Sequence, residues 1–221
     1  MDWSALAVSL KLAVWTAAIL APIGIVLGRV LAWRAFRGRT LVEALLALPL
    51  VLPATVLGYY MLAATGADSP VRAVTDSLLR KPLVFTFAGL LVASVVVNLP
   101  FAIQPMQRAF EAISMDVRDA AKCCGMRPWS IFTRIEFPLA WRGIASALVL
   151  TFAHTLAEFG VVLMVGGNIA GETRTASLAI YDRVQAFDDR AAGTMAATLL
   201  FTSLAAIIAV YVIRARPHVR R

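Results

Sequence analysis

The sequence predicts an all-α integral membrane protein, a single bundle of five spans interrupted by one structured cytosolic loop. Three observations predict it. Of 221 residues, 60% are hydrophobic and only 15% charged, with a mean hydropathy of +0.79, far from the composition of soluble domains. The apolar residues gather in blocks of about twenty, the length a helix needs to cross about 30 Å of hydrocarbon. The basic residues flank these blocks instead of clustering on a polar domain, so the net charge of +8 reports membrane topology and not nucleic-acid binding.

The blocks fall at about 12–31, 42–64, 83–103, 144–165 and 195–213, within one domain spanning 1–221. An odd number of spans puts the two termini on opposite sides. Fourteen of the 21 Lys and Arg residues lie after the first block (Arg29 to Arg39), after the third (Arg108 to Arg142) and after the fifth (Arg214 to Arg221). The positive-inside rule makes these segments cytosolic and the N-terminus external. In the first block Asp2 precedes the apolar run and the arginines follow it, the reverse of a cleavable signal, so a retained span is expected. After the last block the tail is too short to fold, so any regulatory domain is expected on a partner.

The second block carries Pro49 and Pro53, one helical turn apart, followed by Thr55. Each proline removes a backbone donor and frees a carbonyl, which hydrocarbon tolerates only where a neighbour or a wet cavity satisfies it. A bent, inward-facing helix follows, read either as a pathway or gating helix, with Pro49, Pro53 and Thr55 as candidates, or as a static kink that serves packing. Asn98-Leu99-Pro100 and Gln104-Pro105 predict, on the same grounds, a third helix broken near its cytosolic end. The fourth block holds His154 and Glu158, four residues apart, with Thr151 and Thr155 alongside. A charge near the bilayer centre costs about 2.5–3.5 kcal/mol even on a mild insertion scale, so this face should look into the bundle. The four residues read either as a pathway-lining cluster or as an i,i+4 hydrogen bond between His154 and Glu158, or a contact with a second subunit, that fixes helix packing; a proton relay is a third reading.

Between the third and fourth blocks lies the longest polar interruption. Ser114 can cap a short helix, Gly125 can end it, and Pro128 can begin another. On the first helix Ala120, Ala121 and Cys124 share one shallow face bordered by Arg118, Asp119 and Lys122, a docking surface with no catalytic group. Cys123 and Cys124 are adjacent, a spacing that rarely permits a disulfide, and with no CxxC pair or nearby His they are not read as metal ligands.

Asp119-Ala120-Ala121, three residues, Gly125, nine residues, then Ile135-Glu136-Phe137-Pro138 resembles the EAA loop of ABC-importer permeases, with Asp119 standing for Glu and Phe137 for Leu. The resemblance implies that Asp119, Ala120, Ala121, Gly125, Ile135 and Pro138 dock an ATPase, and that the bundle is of the five-span type I permease class with a cytosolic coupling helix. The run Ala153-His154-Thr155-Leu156-Ala157-Glu158-Phe159-Gly160, with Gly166-Gly167-Asn168-Ile169, is similar to the molybdate-importer branch, where Arg stands in place of His154, Gly of Ala157 and Pro of Ala170. It adds Asn168 to the pathway candidates. The branch implies a homodimer in the bacterial inner membrane, two ATP-binding subunits and an extracytoplasmic binding protein for molybdate, and often tungstate; sulfate permeases share a related pattern.

The sequence has no phosphate-binding Gly-x4-Gly-Lys-Ser/Thr loop and no nucleophile placed beside a base, so no catalytic residue, metal or cofactor is assigned to this chain and ATP is expected on the partner. An ion-coupled secondary transporter or a structural subunit of a larger membrane complex would fit the same composition.

Overall fold

The computed structural model describes residues 2–66, 69 and 83–215, with the backbone alone for 209, 210 and 213–215. Of the basic residues that orient the chain, Arg216, Arg220 and Arg221 lie outside the described residues, as do Arg72, Arg80 and Lys81 of the loop after the second block. Every regular element among the described residues is helical. Four helices are long and apolar enough to cross a membrane, and a bent pair makes a fifth span if it is counted as one.

Helix α1, Trp3–Trp33, opens on Asp2, whose carboxylate accepts from the Ala5 amide at 3.1 Å. It packs chiefly on α4 (Phe87–Glu111) and on α7 (Phe137–Ala157). Two glycines let α1 and α4 approach. A Cβ at Gly24 would meet Met106 Sδ at 2.6 Å, and one at Gly28 would meet the Gln107 backbone nitrogen at 2.9 Å. Beside this seam Leu20, Ala102, Met106, Phe110, Ile144 and Ala147 form the main buried cluster.

Helices α2 (Arg39–Val51) and α3 (Ala54–Thr65) meet at Leu52-Pro53 with a bend of 112°. The bend falls where the prolines place it. The inward orientation expected of this segment is not general: α2 buries none of its residues within the chain and has α4 as its main neighbour. Helix α3 buries Leu57 and Gly58 against α8 (Gly160–Gly166).

Helix α4 corrects a second expectation. It runs unbroken from Phe87 to Glu111 through both Pro100 and Pro105. Its buried face is held between α1 and α7, and that packing outweighs the backbone bonds that the two prolines forfeit. The fourth block departs in the opposite sense. It is interrupted: α7 ends at Ala157, Glu158 turns extended with ψ 134, and α8 begins at Gly160. The closing helices are α9, Ala176–Gln185, and α10, Asp189–Ala215, which packs on α7 and α9.

The polar loop forms as its residues dictate. Helix α5, Met115–Cys123, starts at Ser114, whose hydroxyl accepts from the Asp116 amide. It closes on Gly125 at φ +73, with Met126 N–H donating to Ala121 O and Gly125 N–H to Lys122 O, the paired bonds of a Schellman motif. Helix α6, Pro128–Ile131, then leads through one π turn, Phe132–Glu136, directly into α7.

Candidate functional site

Glu158, only 7% exposed, sits at the break between α7 and α8. Ser177 on α9 donates to its carbonyl at 2.6 Å, which satisfies a group the broken helix would leave open. Its side chain joins a polar chain from other helices. Ser94 Oγ and Asn98 Nδ2, both on α4, lie 3.4 and 3.5 Å from Oε2, and Thr16 of α1 donates to Ser94 Oγ at 3.1 Å. Glu158 Oε1 is buried and has no hydrogen-bond partner among the described residues.

His154 and Glu158 do not pair directly, as their spacing had suggested. Asn98 stands between them. The Ser94 carbonyl can only accept, so the Asn98 atom 2.9 Å from it is the amide nitrogen. Asn98 Oδ1 then accepts from His154 Nδ1–H at 3.0 Å, which makes Nδ1 the donor and orients the ring. The ring also stacks on Phe101, with centroids 3.8 Å apart.

A cavity of about 310 Å³ opens beside this network, lined by Pro49, Leu52, Ala54, Phe101, His154, Glu158 and their neighbours. It unites three of the pathway candidates, Pro49, His154 and Glu158. Pro53 and Thr55 flank Ala54 at the bend but do not line it. Thr151 and Thr155 are buried elsewhere, their hydroxyls donating to the carbonyls of Ala147 and Thr151. Asn168 lies after α8 at φ +57, where it donates to Asp182 on α9 and accepts from Arg174. Thr16, Ser94 and Asn98 escaped the sequence reading as site residues. Their signal was present: Ser94 and Asn98 are polar, four apart, inside an apolar block.

On the polar loop between α4 and α7, Asp119, Ala120, Cys123, Cys124 and Gly125 are exposed, and Pro138 at the start of α7 with them. Ala121 is buried, so the small face is formed by Ala120 and Cys124 with Val117 beside them, and not by Ala121; Ile135 is half-buried. Lys122 donates to Asp119 at 2.7 Å, and this hydrogen bond holds the Asp119 carboxyl below its usual range. Glu136, the variable position of the Ile-x-Phe-Pro run, is fully buried between Arg29 and Arg118.

This architecture has counterparts among known proteins. The binding-protein-dependent transport system inner membrane component family matches residues 21–217. The chain belongs to that family. Among inner membrane components of this kind, it is 42% identical over 214 residues to the "Molybdenum transport system permease protein ModB" of Azotobacter vinelandii, covering 95% of this chain and 93% of the relative. It is 32% identical over 184 residues to the protein of the same name in Escherichia coli (strain K12), covering 83% and 80%. Against the "Sulfate transport system permease protein CysT" of that strain it is 30% identical over 198 residues, covering 86% and 70%. A solved bacterial ABC transporter that imports the acidic polysaccharide alginate has the same fold, with a TM-score of 0.73 at 19% identity over 96% of this chain and 77% of the other. An amino acid ABC transporter gives 0.64 at 17% identity over 97% and 92%.

Proposed function

We propose that this inner membrane component is the permease subunit of an ATP-driven importer of molybdate, and of tungstate where both are offered. The 42% identity over nearly the full length of both chains carries the reading; the sulfate permease is less similar and covers less of itself. Two copies form the pathway as a homodimer, each docks one ATP-binding subunit through α5, and an extracytoplasmic protein delivers the anion. The N-terminus is external and the C-terminus cytosolic. Support comes from the way cationic segments converge: Arg39 reaches Glu111 at 3.5 Å, while Arg29 and Arg118 share Glu136. The ends of α1 and α4 and the docking loop therefore meet at one pole of the bundle, the pole that the positive-inside rule assigns to the cytosol.

The cavity beside Pro49, His154 and Glu158 is the pathway segment within each copy. An oxyanion there needs hydrogen-bond donors and is repelled by Glu158 unless that carboxyl is paired or protonated. The Asn98 bridge holds His154 in place, and the break after Ala157 presents irregular backbone at membrane depth, which is tolerated where it lines a cavity. The test is uptake into proteoliposomes holding the permease with the ATPase that co-purifies with it, with binding protein outside. ATP-dependent entry of molybdate in preference to sulfate is expected. Entry of sulfate in preference would move the chain to the sulfate reading, and uptake indifferent to ATP hydrolysis would refute the reading as a whole.

A further inference from the structure

Glu136 stands apart from the pathway and from the exposed docking face, yet it is the most completely enclosed charge described. Its side chain is 0% exposed and both oxygens are engaged. Oε2 lies 2.6 Å from Arg29 Nε on α1, and Oε1 lies 3.0 Å from Arg118 Nε on α5. Aromatic rings seal the ion triad. The Arg118 guanidinium lies 3.6 Å from the ring centre of Trp33, and that of Arg29 lies 5.4 Å from Phe132. The π turn carries Glu136 to the buried side while Thr133 and Arg134 remain exposed.

Three separate elements are thereby tied by one carboxylate. Among the described residues no other α5 side chain makes a hydrogen bond or ion pair to another element. Beyond the triad and its chain connections, helix α5 packs lightly, chiefly on α6, with Ala121 its buried residue. Without Glu136, two guanidinium groups would face one another with no counter-charge, an arrangement that drives α5 and α1 apart. Arg29 also lies on the same unbroken helix as Thr16, about 20 Å away at 1.5 Å per residue, and Thr16 donates to Ser94 beside Glu158.

We propose that Glu136 is a positioning residue for transport: it clamps the docking helix to α1 through Arg118 and Arg29, so that displacement of α5 by the ATPase is delivered to α1 and along it to the Thr16–Ser94 contact. This rests on the transport reading above for the source of the displacement and not for the identity of the cargo. A loop fastened only at its two chain ends would yield when pushed; a clamped loop moves the span.

The experiment measures anion imported per ATP hydrolysed, in proteoliposomes of the permease with its co-purifying ATPase and binding protein. Arg118→Met keeps the stem that packs on Trp33 and removes the charge; Glu136→Gln keeps the shape. The expected result for both is ATPase association within two-fold of wild type, continued ATP hydrolysis, and at least a five-fold fall in import per ATP. An unchanged ratio in Arg118→Met overturns the proposal, whether absolute rates are full or reduced. Loss of ATPase association overturns it too, because Arg118 would then belong to the docking surface, and so does failure of Arg118→Met to accumulate, which would mark the triad as a folding requirement. If wild type imports sulfate and not molybdate, the ratio is taken with sulfate, so the cargo reading and the clamp fail separately.

Discussion

Replacing Asn98 by Leu tests the polar network at its centre. Asn98 is fully buried, and leucine keeps the branching at Cγ while removing both polar atoms, so the cost combines lost hydrogen bonds with some overpacking by its larger methyl groups. Two bonds are well made, from Nδ2 to the Ser94 carbonyl at 2.9 Å and from His154 Nδ1 to Oδ1 at 3.0 Å. Inside a membrane bundle such bonds average about 0.6 kcal/mol each. The contacts at 3.4 and 3.5 Å to Ser94 Oγ and Glu158 Oε2 are at the limit of length and add little. The lower bound is therefore about 1 kcal/mol. The upper bound comes from what stays behind: His154 Nδ1–H loses its acceptor, and an unsatisfied buried group costs about 1–3 kcal/mol. Glu158 Oε2 keeps Ser94 and contributes less. A loss of about 1–3 kcal/mol is expected by reversible denaturation in mixed detergent micelles. In a double-mutant cycle, His154→Phe should cost less in the Asn98→Leu background than in wild type, by about 0.5–1 kcal/mol. Additivity within about 0.3 kcal/mol, or a loss from Asn98→Leu below about 0.5 kcal/mol, would refute the bridge.

Three other substitutions or labels separate the remaining roles. Glu158→Gln can still accept from Ser94 and Asn98, so assembly should persist while the initial rate of ATP-dependent molybdate uptake changes several-fold; an unchanged rate would return Glu158 to a packing role. Gly125→Val meets no atom within 4 Å but forces a β-branched residue to φ +73, a penalty of about 1–2 kcal/mol. Membrane insertion should survive and ATPase co-purification should fall; full uptake at unchanged expression would count against docking through α5. A membrane-impermeant thiol reagent applied to intact cells should miss the exposed Cys123 and Cys124 and label Glu172→Cys in the opposite loop, and labelling of the native pair would invert the topology.

The ends of α5 are legible in the sequence because their causes are local: a serine cap, a glycine needed at positive φ, and a proline three residues on. The bend at Pro53 is legible for the same reason. Pro100 and Pro105 mislead because local chemistry marks a break there while α1 and α7, distant in sequence, hold the helix straight. The break after Ala157 has no proline to announce it. Ala121 is one residue from an exposed neighbour, and a helix turns about 100° per residue, so the choice of face depends on a phase that only packing sets. Asn98 lies 56 residues from His154, and Glu136 lies 107 from Arg29. Nothing in either neighbourhood names the partner; each pairing exists because helices far apart along the chain lie side by side.

The glycine seam between α1 and α4 has a mechanical consequence. With backbone nearly touching backbone at Gly28 and Gln107, neither helix can slide along the other without riding up over the contact. The pair is a single beam. Among the described residues the spans outside that pair are cut at Leu52-Pro53 and at Glu158-Phe159, and Leu52, Glu158 and Phe159 line the same cavity. With the α1–α4 pair held fixed, a change of angle at either break would alter the width of that cavity.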